Sequence, residues 1–233
     1  SDQKIASGYN RLLQTTHEGG LQPREYLAIY AADRIRNLSE VWMGGTMGCC
    51  QCHNHKFDPY TIEDFYSLGA FFADLDEAKH FTSGGNSLPT KREPELVVLT
   101  RRERLRIDEL KQEIAGINVA SQHVANGNAD QPSVEIMIEK LEKEIDAIKK
   151  ASRRTMISAP IKPRTMRVLP RGNWLDNSGP IVTPSIPKFL GKLDTGDQRA
   201  TRLDLANWLT DAENGNGLLT ARVFMNRFWY LLF

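Results

Sequence analysis

The chain has 233 residues, of which 40% are apolar and 25% charged, so the composition predicts a folded protein of one large domain or two smaller ones. Its 30 basic and 29 acidic side chains give a formal net charge of +1, which argues against a nucleic-acid-binding surface. No apolar run reaches the roughly 18 residues of a transmembrane helix, and the first ten residues lack the pattern of a signal peptide.

Two helices are predicted on either side of residues 48–59. The first begins near Pro23, shows helical spacing of apolar residues, and ends at Gly44-Gly45. After a turn at Asp58-Pro59, Thr61 with Asp64 predicts a capping box for the second helix. The segment between these helices therefore forms a tight connection, within a region that we assign to residues 1–95.

A second pair of helices is predicted within residues 96–152. Thr100 with Glu103 indicates a capping box, and a Gly/Asn/Pro-containing loop separates two apolar series. Both series have spacings of 3, 4 and 3 residues, at Ile107, Leu110, Ile114 and Ile117 and again at Ile138, Leu141, Ile145 and Ile148. This pattern predicts an antiparallel coiled-coil hairpin that acts as a spacer or an interaction arm.

The remaining sequence divides into two segments. Residues 153–198 are rich in Pro and Gly, which predicts an extended connector. Residues 199–233 show helical patterns, with Thr201 and Asp204 as a cap, and end on four apolar or aromatic residues. We expect a mainly α fold, and we expect that this chain is a piece of a longer protein whose second helical domain continues beyond residue 233.

All three cysteines and two of the five histidines lie in residues 48–59, GCCQCHNHKFDP. Cys49, Cys52 and His53 form the C-x-x-C-H pattern by which haem c is attached, with one thioether from each thiol and the histidine as proximal iron ligand. We expect the additional thiol, Cys50, to point away from the haem. Because bacteria attach haem c outside the cytoplasm, the pattern predicts a periplasmic or otherwise extracytoplasmic protein.

The sequence leaves the sixth iron ligand open. His55 is a candidate, although it lies only two residues beyond His53, and its alternative role is to hydrogen-bond a propionate or bind a second centre. Met43 and Met47 are the other candidates, although a methionine near a helix end is more often a core residue. Methionine ligation would raise the potential, bis-histidine ligation would lower it, and an open position would permit chemistry on a small molecule. Arg34 and Arg36 either pair with the haem propionates or are ordinary surface charges of their helix. His17, His80 and His123 are expected to be surface residues.

Two hypotheses without haem also explain the cysteine cluster. Cys49, Cys52, His53 and His55 could supply the four ligands of a structural zinc ion, although adjacent Cys52 and His53 are awkward ligands for one tetrahedral metal. The cysteines could instead form a structural or redox-active dithiol.

Three stretches resemble known families. GYNRLLQTTHEGG, followed by EYLAIYAADRIRNLSEVWMGGTMGCCQCHNHKFDPYTIEDFYSLGAFFAD, resembles a planctomycete cytochrome c-like domain family of uncharacterised function. RATRLDLANWLTDAENGNGLLTARVFMNRFWYLLF resembles the start of the uncharacterised domain that usually follows it. The family motif C-x-x-C-H-D-H-K is matched here except that Asn54 replaces the aspartate and Cys50 replaces a common alanine. The resemblance implies an exported bacterial protein with covalently bound haem c.

The leading hypothesis is a c-type haem-binding electron-transfer domain of a larger exported bacterial protein. Its partners would be redox proteins or other cytochrome modules and the rest of the parent polypeptide. One alternative is a haem-dependent oxidoreductase with an open axial position, linked by association to polysaccharide metabolism. The other is a non-catalytic, metal-stabilised interaction module that uses the hairpin as its arm.

Overall fold

The computed structural model describes residues 2–13, 22–77, 93–123 and 131–233, with the side chains of residues 122, 123, 131 and 132 excepted. Within these ranges the protein is mainly helical, as the sequence predicts. The chain forms two compact units. The first unit joins Ser1–Arg11 to Arg92–Ile157, and the second unit joins Leu12–Lys91 to Ser158–Phe233. The division into four consecutive segments stays a prediction.

The α-helices of the described residues are α1 Asp2–Ala6, α2 Pro23–Asn37, α3 Ile62–Ala70, α4 Arg101–His123, α5 Gln131–Ala151, α6 Arg202–Thr210 and α7 Gly217–Leu232. The strands are β1 Glu95–Val98, β2 Arg153–Met156, β3 Met166–Arg167 and β4 Ile181–Val182. They form two separate antiparallel pairs, β1 with β2 and β3 with β4.

The first unit consists mainly of α4 and α5, which pack against each other at Ile107, Leu110 and Ile145. These buried positions belong to the two apolar series of the sequence. The Ser152 hydroxyl lies 3.1 Å from a carboxylate oxygen of Glu103, so the start of α4 lies beside the end of α5. The predicted capping box at Thr100 is confirmed, because Thr100 and Glu103 exchange hydrogen bonds. The coiled-coil geometry of this helix pair stays a prediction.

The second unit contains the cysteine cluster. α2 continues into a π-helical segment, Leu38–Met43, which ends at Gly44 with φ of +65°. Only glycine fits there easily, since a Cβ would also approach a methyl carbon of Val223 to 2.6 Å. The predicted capping box of Thr61 and Asp64 is confirmed at the start of α3. The core joins α2 and α3 to later parts of the chain and includes Ile35, Met43, Met47, Phe65, Leu68, Leu75, Val168, Val182, Ile186 and Trp208.

A buried ion network also joins distant parts of the second unit. The Glu77 side chain is 2% exposed and pairs with Arg34 of α2 and with Arg164, the latter at 3.2 Å. Arg164 also donates to the carbonyl oxygen of Leu75 at 2.6 Å. Burial lowers the pKa of Arg34, although the neighbouring Glu77 carboxylate opposes this shift. The network fixes residues around 164 against α2.

At the C-terminal end, the predicted cap of Thr201 and Asp204 is confirmed at the start of α6. α7 contacts the π-helical segment through Phe224, whose ring centroid lies 5.1 Å from that of Trp42. The last residues of α7 leave large apolar side chains exposed, namely Phe228, Trp229, Tyr230, Leu231 and Leu232. Across the described ranges, every helix is too short or too polar to cross a bilayer.

Candidate functional site

The cysteine cluster lies on one short turn between α2 and α3. Gly48–Gln51 forms a 3₁₀ helix. The carbonyl oxygen of Cys49 then accepts hydrogen bonds from the amides of Cys52, at 3.2 Å, and His53, at 3.3 Å. The C-x-x-C-H segment is therefore wound into a single helical turn, which fixes the backbone spacing of the two cysteines and the histidine.

The three cysteines differ in exposure. Cys49 and Cys52 are exposed, whereas Cys50 is fully buried in the core of the second unit. The Cys50 thiol lies 3.6 Å from the carbonyl oxygen of Tyr60, and burial raises its pKa. The turn therefore presents two thiols to solvent and withdraws the third.

His53 is exposed, and its ring is held by the backbone. Its Nδ1 lies 2.7 Å from the carbonyl oxygen of Asn54. Because a carbonyl oxygen only accepts hydrogen bonds, this contact requires the proton to be on Nδ1. Nε2 then carries the lone pair, as a metal-ligating imidazole requires.

His55 helps to build the turn. Its Nδ1 accepts hydrogen bonds from the amides of Asp58, at 2.8 Å, and Phe57, at 3.3 Å. Nδ1 is consequently committed to the backbone as an acceptor, which places the proton of the neutral ring on Nε2. Ligation by Nε2 would therefore require a change of tautomer and the loss of these two hydrogen bonds. Asn54 is structural as well, because its side-chain oxygen accepts from the amide of Ile62 at 2.9 Å, at the first residue of α3.

Met47 lies in the core. It is 0% exposed, belongs to the same apolar cluster as Cys50, and its amide lies 3.4 Å from the Ser39 hydroxyl. Met43 is also buried. The structure therefore places Met47 among the packed residues, whereas Cys49, Cys52 and His53 are exposed. His17, His80 and the His123 side chain lie outside the described residues.

Gln51, between the cysteines, links the turn to its surroundings. Its side-chain oxygen accepts from Arg36, and its carbonyl oxygen accepts from the Tyr66 hydroxyl at 2.9 Å. Burial, and secondly the nearby Cys52, raises the pKa of Tyr66. Arg36 thus contacts a residue of the motif, whereas Arg34 pairs with Glu77; the pairing of either arginine with haem propionates stays a prediction.

Sequence reasoning missed two residues beside the motif, Tyr66 and Gly172. A Cβ on Gly172 would come within 3.0 Å of the Cys52 sulfur, and the φ of this glycine is +72°. Gly172 follows Arg171, which also has a positive φ of 53°. The Pro170-Arg171-Gly172 sequence indicates a turn, but its position against Cys52 depends on a contact between residues that are far apart in the chain.

The residues of this turn match the requirements of haem c better than those of a structural zinc ion. Within the described ranges, no three His, Cys, Asp or Glu side chains are grouped to hold a metal ion, so the four-ligand zinc site lacks support. Covalent haem needs two accessible thiols and a histidine with a free ring nitrogen. Cys49, Cys52 and His53 meet those requirements, so the motif residues fit haem c.

Comparison with known proteins gives one match. Residues 1–77 match the family PSCyt2, described as a protein of unknown function (DUF1549). No curated protein and no solved structure matches the chain. The part of the chain that contains the C-x-x-C-H turn is thus similar to an uncharacterised family.

Proposed function

We propose that the second unit binds haem c covalently and serves as an electron-transfer domain of a larger exported bacterial protein. The observation that carries this proposal is the difference in solvent exposure among the side chains of the turn. Cys49 and Cys52 are exposed, Cys50 is buried, and the His53 ring is held by a carbonyl oxygen through Nδ1. The resemblance to planctomycete cytochrome c-like domains supports the same conclusion.

Each residue of the turn has a role in this proposal. Cys49 and Cys52 would hold the group through thioether bonds, and His53 would ligate the iron through Nε2. When bound, the haem would supply one-electron iron chemistry. The Asn54 carbonyl orients the His53 ring and increases the basicity of Nε2 by accepting the Nδ1 proton in a hydrogen bond. Because haem c is attached outside the cytoplasm, the proposal includes an extracytoplasmic location.

The burial of Met47 and the Nδ1 bonds of His55 favour a second candidate function. Met47 is packed in the core, and Nδ1 of His55 accepts hydrogen bonds from the backbone of the turn, so neither side chain is free to move to the iron without local rearrangement. A haem-dependent oxidoreductase would use an open axial position, where a small molecule can bind. The suggested link to polysaccharide metabolism rests on the resemblance alone.

Optical spectra of the protein matured in a bacterial host with cytochrome c maturation would test both candidates. We expect a His53→Ala variant to lose the absorption features that depend on histidine ligation of the iron. A Cys50→Ala variant should keep the spectrum of the parent. A low-spin spectrum that carbon monoxide does not alter would support electron transfer, and a high-spin, carbon monoxide-binding spectrum would support the oxidoreductase. An unchanged spectrum in His53→Ala would contradict the assigned ligand.

The His55→Ala variant decides whether His55 is the sixth ligand. If His55 only braces the turn through Nδ1, the variant keeps the coordination state of the parent and loses stability. If His55 ligates the iron through Nε2, a low-spin parent spectrum becomes high-spin. Matched His53→Ala and His55→Ala samples, with equal haem content, separate these roles.

A further inference from the structure

A cavity of about 400 Å³ lies within the second unit, between α2, α3 and residues 164–177. This volume is in the range of small-molecule sites, about 300–1,000 Å³. Its apolar wall includes aliphatic and aromatic side chains from all three segments, among them Leu27, Ala28, Phe65, Phe72, Met166 and Trp174. Such a wall can bury the apolar body of a ligand.

The polar side of the cavity is strongly basic. Four arginines line it, Arg24, Arg34, Arg164 and Arg167, and none of its described lining residues is an Asp or Glu. The buried Glu77 carboxylate balances Arg34 and Arg164. Asp33 also acts on Arg34 electrostatically. Arg24 and Arg167, however, face no carboxylate among the described lining residues, so the lining carries an excess of positive charge.

Two of these arginines make their hydrogen bonds to neutral groups. Arg24 donates to the side-chain oxygen of Asn177, and Arg167 donates to the carbonyl oxygen of Gly179 at 3.2 Å. Within the described ranges, neither arginine has a carboxylate as a salt-bridge partner. A guanidinium group has five N–H donors, so both can bind an additional anion.

We propose that this cavity binds a small organic anion, a carboxylate attached to a flat apolar body. The carboxylate pairs with Arg167 and Arg24, and the body packs between Phe65, Met166 and Trp174. This inference goes beyond the proposed haem function and does not depend on it, because neither cysteine of the motif lines the cavity.

The cavity nevertheless adjoins the C-x-x-C-H turn. Gln51, which lies between Cys50 and Cys52, is one of its lining residues. Tyr66 also lines it and donates its hydroxyl to the Gln51 carbonyl oxygen at 2.9 Å. Haem propionates are therefore a competing occupant of the basic wall, and the test must separate them from a free ligand.

Calorimetric titration with two probes of the same shape, 1-naphthoate and 1-naphthalenemethanol, tests the proposal. It is run on the full chain as matured and on its Cys49→Ser/Cys52→Ser variant, which cannot attach haem. We expect both proteins to bind one equivalent of naphthoate and to bind the neutral alcohol at least about tenfold more weakly, since a charge-assisted hydrogen bond contributes that much.

Two cavity variants and one control make the result specific. Arg167→Gln should weaken naphthoate binding about tenfold, and Ala28→Phe should abolish it by filling the cavity. Arg222→Gln, an exposed arginine of α7, should leave binding unchanged. Circular dichroism confirms that each variant is folded, and Arg167→Gln keeps the test decisive if Ala28→Phe does not fold.

Three results would overturn the proposal. The first is the absence of binding, or equal binding of both probes, in both proteins. The second is naphthoate binding that Arg167→Gln leaves unchanged. The third is binding only by the double cysteine variant, which would assign the basic wall to the propionates of an attached haem and leave the haem proposal standing.

Discussion

The helix pair of the first unit and the turn at residues 48–60 of the second unit differ in what determines their structure. α4 and α5 pack through repeated apolar residues, of which Ile107, Leu110 and Ile145 are buried. The turn is held by single polar contacts, such as the His55 Nδ1 bond to the Asp58 amide and the Cys50 contact with the Tyr60 carbonyl. A helix interface made of repeated apolar residues does not depend on any one exposed side chain. A turn held by individual hydrogen bonds depends on the particular side chains that make them.

This difference indicates where chemistry is located. Along α4 and α5, substitutions at exposed positions outside ion pairs and caps should change the free energy of unfolding by less than about 0.5 kcal/mol. On the turn, adjacent residues have opposite environments: Cys50 is 0% exposed and Cys49 is exposed. The turn therefore controls which thiols are accessible, and the haem proposal rests on this difference in exposure.

Thiol labelling measures the difference in exposure among the three cysteines, and we expect it to show the largest effect. We expect iodoacetamide to modify Cys49 and Cys52 of the reduced, haem-free protein at about pH 8 and to leave Cys50 unmodified until the protein unfolds. The cause is burial, which blocks access and raises the pKa of Cys50, so that less thiolate forms at a given pH. Peptide mass spectrometry locates the adducts, and equal labelling of all three would contradict this difference in exposure.

Removal of Glu77 should cause the largest loss of stability in the second unit. Glu77→Ala removes the buried carboxylate that pairs with both Arg34 and Arg164, which should lower the free energy of unfolding by about 3–5 kcal/mol. Tryptophan fluorescence during urea unfolding measures this, because all four tryptophans belong to the second unit.

Glu63→Ala is the matched control for Glu77→Ala. Glu63 pairs with Lys188 at 2.9 Å, but both side chains are at least half exposed. Its loss should lower the free energy of unfolding far less than the loss of Glu77, because exposed ion pairs contribute little. Equal effects of the two substitutions would mean that the Glu77 network is not a structural element of this unit.

Leu110→Ala should have the largest effect on the helix pair. Leu110 is 0% exposed, so its truncation should cost about 2–5 kcal/mol in the first unit. Leu105→Ala is the control on the same helix, since Leu105 is 56% exposed and its loss should cost less than about 0.5 kcal/mol. Helical circular dichroism records the change. Similar midpoints for the two variants would disprove the packing between α4 and α5.

The capping boxes should show the smallest effects and allow a direct comparison of the two units. Thr61→Ala and Thr100→Ala should each cost about 1 kcal/mol, since each removes the cap of one helix. Only Thr61→Ala should shift the tryptophan transition, because Thr61 belongs to the second unit. A fluorescence shift of equal size in Thr100→Ala would show that the units do not unfold separately.

Local patterns in the sequence predicted local structure well. The caps at Thr61, Thr100 and Thr201 are confirmed, because a hydroxyl and a carboxylate three residues later satisfy the free amides of a helix start regardless of the rest of the fold. The mainly α fold follows from the same helical spacing of apolar residues.

Contacts between distant residues could not be read from the sequence. Glu77 meets Arg164, Gly172 approaches Cys52, and residues 164–177 close the cavity over α2. Each depends on how the later part of the chain packs, and no local periodicity encodes that packing. For the same reason, the sequence predicts the burial of Met47 only as one alternative and does not predict the burial of Cys50.

Intact mass together with a reduced pyridine haemochrome spectrum shows whether Cys49 and Cys52 carry a covalently bound haem. The protein is produced in a host that matures cytochromes c, beside its Cys49→Ser/Cys52→Ser and Cys50→Ala variants. We predict the mass of one added haem and the α-band of two thioether bonds for the parent and Cys50→Ala, and neither for the double variant. A colourless parent at its apoprotein mass, with the maturation machinery working, would contradict the account.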